Sequence, residues 1–251
     1  MSGHGSFKGV GQLWTSFWTQ FGRDPREASA AILVLVVLFA GLVWGLFNNP
    51  ALAAEPAKPA QRVAIPEASA LYRHRVEQVA ADVWGVNGSA ARLAAQLHQE
   101  SAWKPRAVSP GVGAQGLAQF MPDTARWIAQ VFPKQLGDFD PWDPMQSIHA
   151  AALYDKWLLD RVQPIGWTRL SECSRWNFAM RGYNGGETWL MRERGLTIAG
   201  RGDANDWRSV ERFRSRGPAA HHENINYPRR ILLTLEPAYI AAGWPGTAVC
   251  N

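Results

Sequence analysis

The longest apolar stretch of the chain lies near its N-terminus. Residues 28–47 read ASAAILVLVVLFAGLVWGLF and contain no charged side chain. A run of this length can cross the hydrocarbon core of a bilayer as a helix. We therefore predict a transmembrane segment at residues 28–47. Residues 1–27 would then form a cytoplasmic or interfacial segment.

The charges on either side of this run indicate its direction. Lys8, Arg23 and Arg26 precede it, whereas Lys58 and Arg62 come after it at a greater distance. Positive charge concentrates on the cytoplasmic side of a membrane segment. This bias predicts a single-pass anchor with its N-terminus on the cytoplasmic side and the rest of the chain on the outer, periplasmic side.

A cleaved leader is the alternative to an anchor. Ala51-Leu52-Ala53 resembles a small-residue cleavage site, although the segment before the apolar run is longer than that of a usual signal peptide. Both interpretations export the C-terminal remainder of the chain. Residues 48–66 are rich in Ala and Pro and are predicted to be a linker, so that residues 67–251 form the main domain.

Apolar positions recur at helical spacing in this main domain. The pattern predicts helices near residues 70–84, 90–103, 122–132, 144–162, 172–181 and 227–235. Asp143 before Pro144 is typical of a helix start. Residues 195–218 are polar and rich in arginine, and we expect a loop there. Few stretches alternate as strands do, so the domain is predicted to be mainly α.

Composition narrows the possible partners. The chain has 251 residues and a formal net charge of +5, but no block of Lys and Arg that would mark a nucleic-acid arm. A mild basic excess also suits an anionic polymer such as peptidoglycan. We therefore expect no nucleic-acid partner.

The cysteines bear on metals and on redox state. Cys173 and Cys250 are the only two, and no zinc-binding spacing occurs, so we expect neither a metal nor a cofactor. In an exported domain the two can form one disulfide. Two unrelated thiols are the alternative.

One carboxylate lies on the apolar face of a predicted helix. Glu100 falls three residues after Leu97 and seven after Leu93. Burial there would raise its pKa, and a carboxyl that is still protonated near neutral pH can act as a general acid. An ion pair with Arg92 or Arg106 explains the same position, and this helix alone does not decide between the two.

Three later blocks add to this helix. Residues 109–122 read SPGVGAQGLAQFMP, residues 182–186 read GYNGG, and residues 223–227 read ENINY. Glycines and prolines let the backbone of the first two blocks run close to other groups. Asn184 in a glycine-flanked turn also has a simpler explanation, as a residue with left-handed backbone.

The four blocks in order resemble the lytic transglycosylases with a soluble-lytic-type catalytic domain, which are relatives of goose-type lysozyme. The resemblance covers roughly residues 70–240 and implies a mainly α, lysozyme-like fold. Three features depart from the family pattern. The loop at Gly111-Val112 is one residue longer than usual, Ala118 stands where a Met is usual, and Arg181-Gly182 replaces the usual Ala before Tyr183. The Asn-Gly-Gly form looks more like that of phage-encoded lysis or virion enzymes, and this resemblance implies an anchor in an inner or virion membrane.

The resemblance also implies roles for individual residues. Glu100 would be the catalytic acid, Tyr183 would orient Glu100 or the acetamido group of the substrate, and Tyr227 would help to close the cleft. Packing on the last helix is the alternative for Tyr227. The full set of implied substrate-binding residues is Ser109, Gln119, Tyr183, Asn184, Glu223 and Tyr227.

Glycosidases usually need two carboxylates, but these blocks contain no second acid apart from Glu223. This favours a single-acid scheme. Cleavage of the N-acetylmuramic acid (MurNAc)–β1,4–N-acetylglucosamine (GlcNAc) bond would then leave a 1,6-anhydroMurNAc end and consume no water. A hydrolytic muramidase and a non-catalytic, membrane-anchored glycan-binding module are the alternatives. The biological setting would be phage penetration of the wall, host lysis or a secretion machine, with other proteins of those systems as partners.

Overall fold

The computed structural model describes residues 63–250. Within them lie ten α-helices and a π-helical segment at Ile231–Leu235. The helices are α1 (Ser69–Trp84), α2 (Ala90–Ser101), α3 (Pro122–Val131), α4 (Pro133–Leu136), α5 (Pro144–Arg161), α6 (Glu172–Gly185), α7 (Glu187–Ala199), α8 (Trp207–Val210), α9 (Pro218–Arg230) and α10 (Glu236–Ala241). The prediction of a mainly α domain is confirmed for this part of the chain.

The helix that carries Glu100 lies at the centre of the core. Residues 90–98 of α2 are all buried, and α1, α10 and the π-helical segment pack around them. Four alanines in α2 let these neighbours approach closely. Ser89 caps the start of α2 by accepting a hydrogen bond from the backbone N–H of Arg92 at 3.1 Å. Left-handed backbone at Ala102 and Trp103 ends the helix just after Glu100.

Helix α5 begins where the sequence indicated. The carboxylate of Asp143 accepts hydrogen bonds from the backbone N–H groups of Met145 at 2.7 Å and Gln146 at 3.2 Å. These bonds satisfy donors that the first turn of a helix leaves without partners. The helix then packs between α1 and α6.

Two predictions about the C-terminal half were wrong. Helix α7 occupies residues 187–199, although a loop was expected from residue 195, and α9 begins at Pro218 rather than near Tyr227. The buried face of α7 consists of Leu190, Glu193, Arg194 and Thr197. This face has helical spacing but is mostly polar, so a search for apolar periodicity does not detect it.

A disulfide joins Cys173, near the start of α6, to Cys250. The same C-terminal tail contacts the start of α2, where the carbonyl of Pro245 accepts a hydrogen bond from the backbone N–H of Ala91 at 2.9 Å. Arg92 donates to the carbonyl of Thr247 at 3.1 Å. The tail is therefore held against the body of the domain by covalent and polar contacts.

No helix between residues 63 and 250 combines the length and apolar character needed to cross a bilayer. The predicted span at residues 28–47 and the segment at residues 1–27 lie outside the described residues, as does the linker up to residue 62. Residues 63–66 precede α1 without forming a helix or a strand.

Candidate active site

A cleft of about 750 Å³ contains Glu100 and all six predicted substrate-binding residues. Its lining comes from the end of α2, the loop after it, the start of α3, the end of α6 and helix α9. Although α2 and α9 are far apart in the sequence, packing of α9 against α6 brings these parts together. The residues that line it are Gln99, Glu100, Ser109, Val112, Ala114, Gln119, Phe120, Met121, Thr124, Tyr183, Asn184, His222, Glu223, Asn226, Tyr227 and Arg230.

The carboxyl of Glu100 has a tyrosine as its hydrogen-bonding partner. The hydroxyl of Tyr227, on α9, donates to Oε1 of Glu100. Tyr183 was expected to orient Glu100 or the acetamido group, but its hydroxyl donates to the carbonyl of Ala118 at 2.9 Å. Tyr227 therefore does more than pack on the last helix, because it holds the carboxyl that faces the cleft.

Burial raises the pKa of Glu100 to about 8. The hydrogen bond from Tyr227 lowers this pKa, and the charges of Asp155 and Glu223 raise it, but desolvation is the largest effect. Glu100 therefore keeps its proton near neutral pH. That state is the one a general acid needs before it can donate.

Neither arginine proposed as an ion-pair partner neutralises Glu100. Arg92 pairs with Glu236 at 2.8 Å, beneath the start of α2. The guanidinium of Arg106 lies over the ring of Trp142 at 5.9 Å. Glu100 is therefore not paired with either arginine. Its carboxyl is accommodated in the protonated form instead.

Replacing Tyr227 by Phe tests how Glu100 is held. The hydroxyl stabilises the ionised form of Glu100, so its loss should raise the pKa of that carboxyl further. We expect the basic limb of the pH–rate profile to move to higher pH, and kcat to fall roughly tenfold or more, since a hydrogen bond to a charged group contributes about 1.5–3 kcal/mol. Peptidoglycan clearing measured against pH checks both. The control is Tyr72→Phe, which removes a tyrosine hydroxyl from α1. If Tyr227→Phe leaves the basic limb of the pH–rate profile where it is in the unchanged protein, this role for Tyr227 is contradicted.

A second buried acid near Glu100 escaped the sequence analysis. Asp155 on α5 is completely buried and accepts a hydrogen bond from Nε2 of Gln96 at 3.2 Å. Burial raises its pKa to about 8, so it also keeps a proton near neutral pH, which makes its burial far less costly. Asp155 lies outside the sequence blocks in which Glu223 was identified as the only second acid. Asp155 follows Ala151 by four residues and precedes Leu158 by three, so helical periodicity could have identified it.

Asp155 does not line the cleft, whereas Glu223 does. A carboxyl that is sealed from the cleft cannot attack a sugar or activate a water beside it. Glu223 lies exposed on α9, and its charge contributes to the raised pKa of Glu100. Of the acids in the described residues, Glu100 and Glu223 are thus the ones that face the cleft.

The loop after α2 presents Gln119 with a defined polarity. Its Nε2 donates to the carbonyls of Ala107 at 3.1 Å and Gly116 at 2.8 Å, which uses both of its N–H groups. Oε1 is left as an acceptor. Gly116 has a φ of +74°, and a Cβ there would lie 1.9 Å from the carbonyl oxygen of Pro141. Only glycine fits this approach.

The apolar wall of the cleft does not depend on Ala118. That residue is completely buried, and its carbonyl receives the hydroxyl of Tyr183. Val112 and Met121 are exposed and line the cleft instead. The departure from the family pattern at Ala118 therefore leaves an apolar surface in place.

Ser109 lies in the same loop, at the rim of the cleft. Its backbone N–H donates to the carbonyl of Ala114 and its own carbonyl accepts from the N–H of Gly113, both at 3.0 Å. These bonds set the position of the loop. In the described residues, no group of three or more His, Cys, Asp or Glu side chains is arranged to hold a metal ion.

The chain belongs to the transglycosylase SLT domain family, whose model matches residues 79–204. This range extends from within α1 through α7 and contains Glu100, Gln119 and Asn184. It ends before α9, the helix that carries Glu223 and Tyr227.

Three curated relatives carry closely similar names. The "Membrane-bound lytic murein transglycosylase F" of Alcanivorax borkumensis is 37% identical over 119 residues, which are 47% of this chain and 23% of that protein. "Membrane-bound lytic murein transglycosylase F 1" of Alkalilimnicola ehrlichii is 37% identical over 139 residues, 55% of this chain and 25% of the relative. The "Membrane-bound lytic murein transglycosylase F" of Vibrio campbellii is 34% identical over 119 residues, which are 47% of this chain and 20% of that protein. The matched part thus spans between a fifth and a quarter of each relative's length.

Proposed function

We propose that this protein is a peptidoglycan lytic transglycosylase with Glu100 as its catalytic acid. One observation carries the proposal: a buried carboxyl, protonated near neutral pH and held by Tyr227, opens onto a cleft large enough for sugars. Membership of the SLT family and the names of the relatives support the same activity.

The proposed reaction uses Glu100 twice. It first gives its proton to the oxygen that bridges MurNAc and GlcNAc, so that the glycosidic bond breaks, while the acetamido group of the substrate stabilises the anomeric carbon. The ionised Glu100 then accepts the proton of the MurNAc 6-hydroxyl, whose oxygen attacks that carbon. The products are a 1,6-anhydroMurNAc end and a free GlcNAc hydroxyl, and no water is consumed. A pKa of about 8 suits a group that must both donate and accept.

The remaining cleft residues would bind the glycan. We assign Ser109, Gln119, Tyr183, Asn184, Glu223 and Tyr227 to substrate binding or to the support of Glu100, because all of them line the cleft. The acceptor oxygen of Gln119 suits a sugar hydroxyl or an acetamido N–H. Tyr227 would stabilise Glu100 in its ionised state, between the two proton transfers.

The product profile tests this function. Purified peptidoglycan would be digested with the protein, and the fragments analysed by mass spectrometry with and without borohydride reduction. We expect anhydro ends, which are lighter by one water and resist reduction. Reducible muramic ends would identify a hydrolytic muramidase on the same fold. Binding without any cleavage would identify a glycan-binding module.

We further propose that the domain acts on the periplasmic side of a membrane, anchored by residues 28–47. The uncharged apolar run and the term "membrane-bound" in the relatives' names support this location. A disulfide in the domain also suits an oxidising compartment. The proposed use is opening of the wall during phage penetration or host lysis. Recovery of the expressed chain in the soluble periplasmic fraction would contradict the anchor.

A further inference from the structure

A buried amide lies behind one wall of the cleft. Asn224, on α9, is 1% exposed and contacts two residues at the end of α6. Its Nδ2 donates to the backbone carbonyl of Arg181 at 2.9 Å and to Oδ1 of Asn184 at 3.0 Å. Its Oδ1 accepts from Nε of Arg181 at 2.9 Å. All the hydrogen-bonding groups of this amide except one lone pair are therefore used.

The chemistry of these partners allows only one orientation of the Asn224 amide. A backbone carbonyl can only accept and a guanidinium can only donate. Asn224 must therefore direct its nitrogen to the carbonyl of Arg181 and its oxygen to Nε. The second N–H of Asn224 then requires an acceptor, which is Oδ1 of Asn184. Consequently Asn184 has its amide nitrogen free, and this half-buried residue lines the cleft.

Arg181 is itself held in place. It is completely buried, and its guanidinium pairs with the completely buried carboxylate of Glu193. Glu193 also accepts from the backbone N–H of Ser215 at 3.3 Å and contacts Nδ1 of His221 at 3.2 Å. The guanidinium of Arg181 cannot turn away from Glu193 without leaving its own buried charge unpaired, which is strongly unfavourable.

The glycine after Asn184 is required by the same contacts. A Cβ on Gly185 would lie 2.6 Å from Nδ2 of Asn224 and 2.3 Å from Nη1 of Arg216. Gly185 of the Asn-Gly-Gly form and Arg181, a departure from the family pattern, thus belong to one arrangement.

We propose that Arg181 and Asn224 are positioning residues that fix Asn184 as a hydrogen-bond donor to the glycan. The ligand group would be an acceptor on an N-acetylated sugar, such as an acetamido carbonyl or a hydroxyl oxygen. Gln119 presents the opposite polarity, so these two amides offer the cleft one fixed donor and one fixed acceptor. This inference rests on the proposed function only in taking N-acetylhexosamine chains as the ligand.

A double-mutant cycle tests the arrangement. All variants carry Glu100→Gln, so that binding of the N-acetylglucosamine hexamer can be measured by calorimetry without cleavage. Asn224→Asp keeps the acceptor for Arg181 but removes both N–H groups, so Asn184 should turn its own N–H groups towards the new carboxylate. We expect the hexamer to bind roughly 3- to 10-fold more weakly, the usual effect of one hydrogen bond. In an Asn184→Ala background the same change should have no further effect.

Ala219→Asp is the matched control, since it adds a negative charge to an exposed position of α9. It should bind as the parent does. Equal weakening by Asn224→Asp with and without Asn184 would overturn the proposal, and so would unchanged binding. A parent that fails to bind the hexamer would instead overturn the ligand assignment, whereas the product profile tests the reaction.

A second measurement keeps the proposal falsifiable if Asn224→Asp does not fold. In the parent, nitrogen-edited NMR should show the side-chain N–H signals of Asn184 moving when hexamer is added. The signals of buried Asn224 should move little. Static Asn184 signals in a saturated complex would exclude the donor role.

Discussion

Replacing Glu100 by Gln should abolish peptidoglycan cleavage, with a loss of at least about 10³-fold in kcat, because general acid–base catalysis contributes roughly 10²–10⁴-fold. Gln has nearly the same shape and can still accept the hydroxyl of Tyr227, so the cleft should keep its form. It cannot donate a proton to the bridging oxygen or take one from the 6-hydroxyl. Both proton transfers therefore fail at once.

The pH dependence of the unchanged protein follows from the same group. Since the pKa of Glu100 lies at about 8, the proton needed for the first step is lost as the pH rises through that value. We expect cleavage to decline above pH 8. The buried carboxyl of Asp155 has a similar pKa, and its charge raises the pKa of Glu100, so the decline should be broader than the titration of one isolated group.

Stability provides an independent readout of the Glu100→Gln variant. The pKa of Glu100 in the folded protein lies above its value in the unfolded chain. At pH values between these two pKa values, the protein therefore takes up a proton when it folds. The resulting stabilisation is complete below the unfolded pKa and is lost as the pH rises through about 8. Gln has no such dependence. The inactive variant should therefore match or exceed the parent in urea resistance at pH 8.

Glu77→Gln makes the same chemical change on α1, where Glu77 pairs with Arg73. Turbidity clearing by this control should equal that of the unchanged protein. If folded Glu100→Gln clears cell walls at a rate comparable to the unchanged protein, Glu100 is not the catalytic acid.

Removing the disulfide should produce the largest change in stability. Cys173 and Cys250 close a loop of 77 positions, and the chain-entropy model assigns such a loop about 4 kcal/mol of stabilisation. We expect the Cys173→Ser, Cys250→Ser double variant to unfold at markedly lower urea concentration than the oxidised protein. Urea unfolding followed by circular dichroism, with and without reductant, measures the difference.

The structure indicates where this stabilisation acts. The bridged tail carries Trp244, which packs on Trp103 and Tyr239, and it contacts the first turn of α2. Neither cysteine lines the cleft, so cleavage in dilute buffer should be retained. Reductant should destabilise the unchanged protein and have no effect on the serine variant. Two free thiols in the unfolded, unreduced protein would show that the bridge does not form.

Local signals in the sequence predicted much of the helical framework. Apolar spacing placed α1, α2, α3 and α5 within a few residues, because each of these helices buries an apolar face. It failed for α7 and for the start of α9. The inward face of α7 is polar, with Glu193 and Arg194 buried among other polar groups, and such a helix has no apolar period to detect. Sequence spacing cannot show that distant charges will pair.

The active site likewise has features that could be predicted from the sequence and features that could not. The position of Glu100 on an apolar helix face made it a candidate, but an ion pair explained that position as well, and the later sequence blocks with their family resemblance were needed to single it out. The hydrogen-bonding partner of Glu100 could not be found in this way, since Tyr227 lies 127 positions away and reaches Glu100 only when α9 packs against α6 and the π-helical segment. The polarity of Asn184 is set by Asn224, 40 positions away. The sequence thus determined which residue types are present and which helix faces they occupy. Only the tertiary structure decided which donors meet which acceptors, because hydrogen bonds depend on distances that the order of residues does not contain.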